Sequence, residues 1–323
     1  MLTTPVFLNA KAKEYCRVRR KGRDMKLRII LIGLLFCAVP QNAFARRFVD
    51  IDSRNVSLIE TIEMRFCFIS FVEIDGELFL VKQKKPLHKL LGVVRDAVTA
   101  YIAETFDIAH KVDVIPAHKD FPGKVRKDWP ATIHTIAPGK MIKKLDDSIF
   151  KKMNIKQADI GFRRDMLTWM AMHPQLIQVV ALDTFVCNHD RHRGNLFYDE
   201  KTGLFCAIDM DSAYKYNLAE LACQNFIKMI KTNLFPLKKR ELRALIAYRN
   251  ALITLVEKHH PENTIIVYNN FAKKAGFSKG NDLYTEKIRL ELERNRQMIE
   301  DSYENIKKLV HILNDIIKRS VRK

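Results

Sequence analysis

The chain has 323 residues, 47% hydrophobic and 29% charged, which is enough apolar material for a sizeable core in one or two domains and excludes wholesale disorder. Lys and Arg outnumber Asp and Glu by 56 to 37, and the net charge of +19 favours contact with phosphates, nucleic acid or an anionic surface without choosing among them. The six Cys form no C-x-x-C pair, so zinc ribbons and thioredoxin-type redox motifs are excluded, and no repeat recurs at a fixed period.

Met25-Lys26-Leu27-Arg28 is a short basic start, followed by an apolar run from Ile29 to Val39, then Pro40 and the small-x-small tripeptide Ala43-Phe44-Ala45. This order reads as a secretory signal cleaved after Ala45, with residues 1–24 an upstream extension and the mature chain exported to a periplasmic or external space. The apolar run is well short of the roughly 20 residues that a membrane-spanning helix needs. The remainder from Arg46 stays basic.

Along the mature chain, Met64 to Ile74 and Glu77 to Lys84 are apolar runs joined by Asp75-Gly76, a strong hairpin signal. Pro86 opens a helical pattern ending near Phe106, Lys111 to Ile115 reads as a strand, and Ala131 to Ala137 reads as another closed by Pro138-Gly139. Residues 46–139 are thus expected to form a small mixed lobe, and 140–323 a larger helical one. In the second, Pro174 sits at the first turn of a segment through Val186 that is apolar on nearly every side and must be central. Residues 218–258 and 283–319 are helical. The seven-residue stripe Leu292, Ile299, Ile306, Leu313 has Asn295 and Ser302 beside it, which favours a helix packed on its own domain over a coiled coil. His259 and His260, before Pro261, read as solvated loop residues.

The densest polar cluster is Asn188-His189-Asp190-Arg191-His192-Arg193-Gly194-Asn195, followed by two short apolar strands around Asp199 to Gly203 and then Ile208-Asp209-Met210-Asp211. Symmetric pairing of Tyr198 with Leu204 sets Asn195 opposite Ala207, so that Asn195 and Asp209 share the open end of one hairpin. An amide oxygen and a carboxylate so placed suit Mg²⁺, a hard cation that otherwise keeps waters and substrate phosphates. Asp190, on the loop entering the hairpin, is placed to accept a proton from an attacking hydroxyl. Asp211 reads as a turn residue, with a second metal ligand as the alternative.

Asp190-Arg191-His192-x-x-Asn195 followed by Ile208-Asp209 resembles the catalytic loop and metal-binding motif of the phosphatidylinositol 3- and 4-kinases and their bacterial, HipA-like relatives. The motif similarity covers about residues 178–214, and a consistent order of elements extends it to about 64–258. The resemblance implies an α+β, two-lobed protein-kinase-like fold and an ATP- and Mg²⁺-dependent phosphotransferase. Asp190 would be the catalytic base, His192 a transition-state or loop-ordering residue, and Asn195 and Asp209 the metal ligands. By the same resemblance Lys82 contacts the nucleotide phosphates and Asp96 is its acidic partner, in place of the family's usual Glu. Asp183 and Asn188 match the approach to the loop, and Ala131 to Ala137 the strand leading to an interlobe hinge.

The segment after Asp209 has only Lys215 basic, so a lipid head group is not carried over as the acceptor, which is a lipid, a protein or a small molecule. No specific nucleic-acid partner is expected, while the basic charge suits contact with an anionic surface. Two other readings stand beside this one. One is a kinase-fold module that binds nucleotide without turnover, which fits export to a space poor in ATP. The other is an HD-type metal phosphohydrolase built on His189-Asp190 and His192.

Overall fold

The computed structural model describes residues 55–85, 89–145, 173–192, 194–214 and 239–321. The expected signal segment, Pro86, Arg193, the stretch 218–238 and most of the helical stretch expected after Met141 lie outside them. Among the described residues no helix is long and apolar enough to cross a membrane.

The first part of the chain is a five-stranded antiparallel sheet. Strands β1 (Val56–Glu63), β2 (Cys67–Ile74), β3 (Glu77–Lys84), β4 (Val112–Ile115) and β5 (Ala131–Thr135) stand in the order β1-β2-β3-β5-β4. Asp75 and Gly76 both take positive φ, 51° and 82°, between the paired residues Ile74 and Glu77, as a two-residue hairpin turn of the primed type requires. The expected strand from Met64 begins later than the sequence suggests. Met64 N donates to Cys67 O at 2.8 Å, and the chain before it forms β1 as an edge strand. That strand escapes sequence reading because its pairing shifts register between Leu58 and Glu60, leaving Leu58 and Ile59 both exposed and breaking the two-residue alternation.

Alternation along β3 sends its side chains to opposite faces. Phe79 and Val81 join Val72, Ile74, Ile115, Phe121 and Ile133 in a small apolar cluster. On the same face Gln83 fastens the loop between β4 and β5: its Nε2 donates to Arg126 O and Trp129 O, and its Oε1 accepts from the Val125 and Arg126 amides. Ser70 Oγ donates to Gly123 O, and Lys124 Nζ to three carbonyls of the loop itself, Pro116, Lys119 and Lys127. Lys82 and Lys84 are left on the opposite face.

That opposite face meets helix α1 (Gly92–Ala103), and beyond it lie α2 (Pro174–Phe185), α3 (Lys239–Lys258), α4 (Pro261–Lys274) and α5 (Glu286–Val321). One apolar cluster runs through all of them, from Leu90 to Ile317, drawing on both sides of residue 139. In α2 the side chains of Leu176, Ile177, Val179, Val180, Leu182 and Phe185 are all buried. Pro174 stands at its first turn, where a missing N–H costs nothing, and Thr184 Oγ1 accepts from Tyr248 Oη of α3 at 2.9 Å.

The stripe Leu292, Ile299, Ile306, Leu313 of α5 is buried in this same core, and the polar residues beside it are bonded into it. Asn295 Nδ2 donates to Tyr268 Oη at 2.8 Å, and Ser302 Oγ donates to Phe185 O. Helix α4 was not expected. Pro261 serves as its first residue rather than as a loop marker, with His260 as N-cap. His259 is correspondingly not solvated: it is 7% exposed, its Nε2 lies 2.6 Å from Thr105 Oγ1, and burial lowers its pKa to about 4.

Strands β6 (Lys140–Met141), β7 (Leu196–Asp199) and β8 (Leu204–Ala207) form a second, three-stranded sheet. The β7–β8 hairpin pairs Tyr198 with Phe205 and Leu196 with Ala207, one residue away from the symmetric register expected from the sequence. Asp199 decides this. Its carboxylate accepts from Lys201 N and Thr202 Oγ1 and its carbonyl from Gly203 N, so Asp199 ends the strand and the loop holds four residues, not five. Gln175 of α2 then anchors the hairpin by accepting from Phe205 N at 2.7 Å.

Gly139, at φ +79°, lets β6 reach β7, because a Cβ there would lie 2.1 Å from Tyr198 O and 2.5 Å from Asp199 Cα. Gly139→Ala is therefore expected to destabilise the chain by about 2 kcal/mol or more. Gly280→Ala, at φ +90° but with nothing within 4 Å, should cost only the conformational penalty of about 1 kcal/mol. Urea unfolding of the two variants checks this, and equal losses would remove the close approach as the cause.

Candidate active site

The loop from Asn188 to Asn195 hangs between α2 and β7, and its shape is set from within. Asp183, in the last turn of α2, receives Arg191 through two parallel hydrogen bonds, Nε to Oδ2 at 2.9 Å and Nη2 to Oδ1 at 3.0 Å. Such a fork fixes orientation as well as distance. The remaining guanidinium nitrogen, Nη1, donates to both Asn195 O and Ile208 O, so one buried cation ties the end of α2 to the base of the hairpin. Asn188 Nδ2 also donates to Asp183 Oδ1, at 2.9 Å. Asp183 and Asn188 thus shape the loop and do not project into a site.

Asp190 is held by its backbone on both sides. Its N–H donates to Asn188 Oδ1 at 3.2 Å, and its carbonyl accepts from Asn195 Nδ2 at 3.1 Å, while the residue itself is exposed. A carboxylate on a pinned backbone facing solvent is what a positioned base needs. His192 is exposed too. Its Nδ1 accepts from Gly194 N at 2.9 Å, a bond within the loop that puts the proton of the neutral ring on Nε2. Asn195 is buried, and because its amide nitrogen is committed to Asp190 O, its oxygen is the atom left for a cation.

Asp209 follows β8. Ile208 N donates to Asn195 O at 3.1 Å, so Ile208, not Ala207, lies opposite Asn195, and the one-residue register change leaves Asn195 and Asp209 together at the open end of the hairpin. Asp209 itself adopts φ 55°, a left-handed conformation that turns the chain sharply after the strand. Its side chain is 37% exposed.

Lys82 arrives from β3. Its Nζ makes a close ion pair with Asp209 Oδ1, lies 3.0 Å from Asp211 Oδ2 and 3.7 Å from Asp96 Oδ2. Asp96 on α1 is therefore within ion-pair reach despite its short side chain, but it is the farthest of the three carboxylates, and its other oxygen accepts from Met210 N at 3.1 Å. Burial pulls the Lys82 pKa down, yet Asp209, Asp211 and Asp96 together hold it well above the ordinary lysine value. Asp96, 1% exposed, shows the reverse: burial raises its pKa to about 6 against the pull of Lys82, helped by the like charges of Asp211 and Asp209.

Sequence reading missed several parts of this cluster. Asp211 sits in a turn as expected, but its carboxylate also pairs with Lys84 and Lys82. Despite burial, both lysines pull its pKa below the usual carboxylate range. Lys84 is buried to the same degree as Lys82, each 8% exposed, and burial followed by repulsion from Lys82 lowers its pKa. Its i, i+2 spacing from Lys82 was the available signal. By contrast Lys85 and Lys89 lie over the Phe68 and Phe66 rings.

Behind the cluster His110 Nδ1 donates to Ala207 O, so its Nε2 accepts from His134 Nδ1 at 2.7 Å, and His134 Nε2 accepts from Thr132 Oγ1 at 2.6 Å. Burial lowers both imidazole pKa values, that of His110 to about 4, and the pair is a neutral strut between β5 and β8.

An amide oxygen at Asn195 and a carboxylate at Asp209 are hard donors of the kind that Mg²⁺ takes. His189 and His192 lie on a loop rather than in a helix, and among the described residues no three His, Cys, Asp or Glu side chains are grouped to hold a metal, so the arrangement expected of an HD-type phosphohydrolase is not found there.

No protein-family model matches the sequence, and no curated protein does. Among solved structures the chain is similar to the crystal structure of a Helicobacter pylori proinflammatory kinase, CtkA, at a TM-score of 0.44 and 11% identity, over 80% of this chain and 98% of that one. A likeness of that size carries no argument about the site.

The buried carboxyl of Asp96 gives a signed pH effect. Its pKa rises from 3.8 to about 6 on folding, so between those values the folded chain binds more protons than the unfolded one, and stability falls as pH rises through the window. Asp96→Asn removes that contribution: its melting temperature relative to wild type should increase from pH 4 to pH 6.5. A pH-independent difference would show that Asp96 titrates normally.

Proposed function

We propose that this chain is a Mg²⁺- and ATP-dependent phosphotransferase of the phosphatidylinositol 3-/4-kinase-like type, passing a phosphoryl group to an acceptor hydroxyl. The observation that carries the reading is the meeting of Lys82, from the sheet, with Asp209, from the base of a hairpin whose entering loop presents Asp190 on a pinned backbone. In this reading the five-stranded sheet with α1 would serve as the nucleotide-binding part and the helices α2 to α5 as the catalytic part.

In this reading Lys82 neutralises charge on the nucleotide phosphates. Asn195 and Asp209 hold Mg²⁺, which when bound spreads the phosphate charge further. Asp190 orients the acceptor hydroxyl and takes its proton. Arg191 and Asp183 keep Asp190 and Asn195 in register, so catalysis is positioning plus electrostatics rather than covalent chemistry. Asp96 is the outer partner of Lys82, and His192 shapes the loop through Gly194 N.

One observation favours a second reading, a module that binds nucleotide without turnover: Lys82 is already surrounded by three carboxylates of its own chain. The two are separated by comparing Asp209→Ala with Asp190→Asn. On the phosphotransferase reading Asp209→Ala weakens Mg²⁺-dependent ATP binding and abolishes ATP consumption together. Asp190→Asn leaves binding near wild type and lowers turnover roughly 10²–10⁴-fold. Wild-type ATP binding with no phosphoryl transfer supports the inactive module, and full turnover by Asp190→Asn removes Asp190 as the base.

Export through the segment ending at Ala45 belongs to the same proposal, on the strength of the Met25 basic start and the Ala43-x-Ala45 tripeptide. N-terminal sequencing of the exported protein should begin near Arg46; a cytoplasmic chain that keeps Met25 would overturn it.

A further inference from the structure

Lys82 and Lys84 compete for one carboxylate. Both Nζ atoms approach the same oxygen, Asp211 Oδ2, Lys82 at 3.0 Å and Lys84 more closely. Lys82 also reaches Asp209 and Asp96, whereas Lys84 has only Asp211 of the three. Three carboxylates thus face two ammonium groups in a space open only at Asp209, and the share of Asp211 that falls on Lys84 is withheld from Lys82.

Asp211 has little freedom to choose otherwise. Arg95, buried on α1, donates from Nε to Asp211 O at 2.8 Å and from Nη1 to Glu291 of α5 at 3.1 Å, which fixes the main chain. Gly92 closes the space beside it: a Cβ there would lie 3.3 Å from Asp211 Cβ and 3.4 Å from Lys84 Cε. The pair is packed in place on the β3 side of the helix.

We propose that Lys84 is a positioning residue for the phosphotransferase: by holding the Asp211 carboxylate it keeps that charge off Lys82 and leaves the Lys82 ammonium available to the nucleotide phosphates. The inference rests on the function proposed above. Lys84 touches no substrate itself; it acts through Asp211, and Arg95 fixes the carbonyl that sets where Asp211 stands. Without Lys84 the whole Asp211 charge falls on Lys82, whose transfer to a phosphate then requires breaking a stronger buried pair.

The test is a double-mutant cycle on Mg²⁺–ATP affinity, measured by calorimetry on the full chain with melting temperatures recorded alongside. Lys84→Met should weaken Mg²⁺–ATP binding about tenfold, a coupling in the range found for contacting charged groups. Lys84→Arg should restore most of it. Asp211→Asn added to Lys84→Met should also restore it, because the competing charge is gone; a merely structural role for Lys84 would make the double variant worse, not better.

Wild-type-like affinity in Lys84→Met, or a double variant weaker than the single one, overturns the inference while leaving the phosphotransferase reading intact. A wild-type chain that does not bind Mg²⁺–ATP overturns that reading first, and this one with it. Should Lys84→Met fail to fold, Lys84→Gln keeps a hydrogen-bond donor without the charge, and unchanged affinity there overturns the proposal equally.

Discussion

Burying two ammonium groups with the carboxylates of Asp96 and Asp211, beside the partly exposed Asp209, is costly, and the chain accepts that cost where β3, α1 and the segment after β8 converge. Desolvation of Lys82, Lys84, Asp96 and Asp211 is offset only if all are in place together, so the sheet, the helix and the hairpin cannot shift independently. Removing either lysine adds to the excess of negative charge in the cluster. The elements around the cluster serve this demand: Gly92 leaves room for Asp211 and Lys84, Arg95 fixes the Asp211 carbonyl, and Met210 N bonds the Asp96 carboxylate.

A second constraint is local and works by geometry more than by charge. Arg191 reaches Asp183, Asn195 and Ile208 from one planar group, and a planar group with fixed donors can join three backbone regions without losing much freedom on each bond. The loop carrying Asp190 is thereby tied to a helix end and a strand end. Among the described residues of the loop Asp190 and His192 are exposed, while Asn188, Arg191 and Asn195 are buried.

Much of the arrangement could be read from local pattern. The Asp75-Gly76 turn, the all-apolar helix after Pro174 and the self-packed stripe of α5 depend on periodicity and turn chemistry, which are properties of short stretches. Where reading failed, a nearby side chain had overridden the pattern. Asp199 took up the turn amides and moved the hairpin register by one residue, and Pro261 started a helix at a position where proline suggested a break. Strand β1 lacks alternation, so nothing local announced it.

The sequence by itself determined the order of polar residues from Asp183 to Asp211 and the face of β3 on which Lys82 falls, since spacing along a loop and parity along a strand follow from the covalent chain. It placed Asp190, Asn195 and Asp209 near one another because a hairpin is a local structure. Only the tertiary structure decided that Lys84 is as buried as Lys82, that Asp211 rather than Asp96 is the carboxylate both lysines share, and that His110 and His134 brace the site from behind. Those contacts join residues more than a hundred positions apart in the case of the lysines, and which carboxylate an ammonium meets depends on how two elements pack, a relation that no residue spacing encodes.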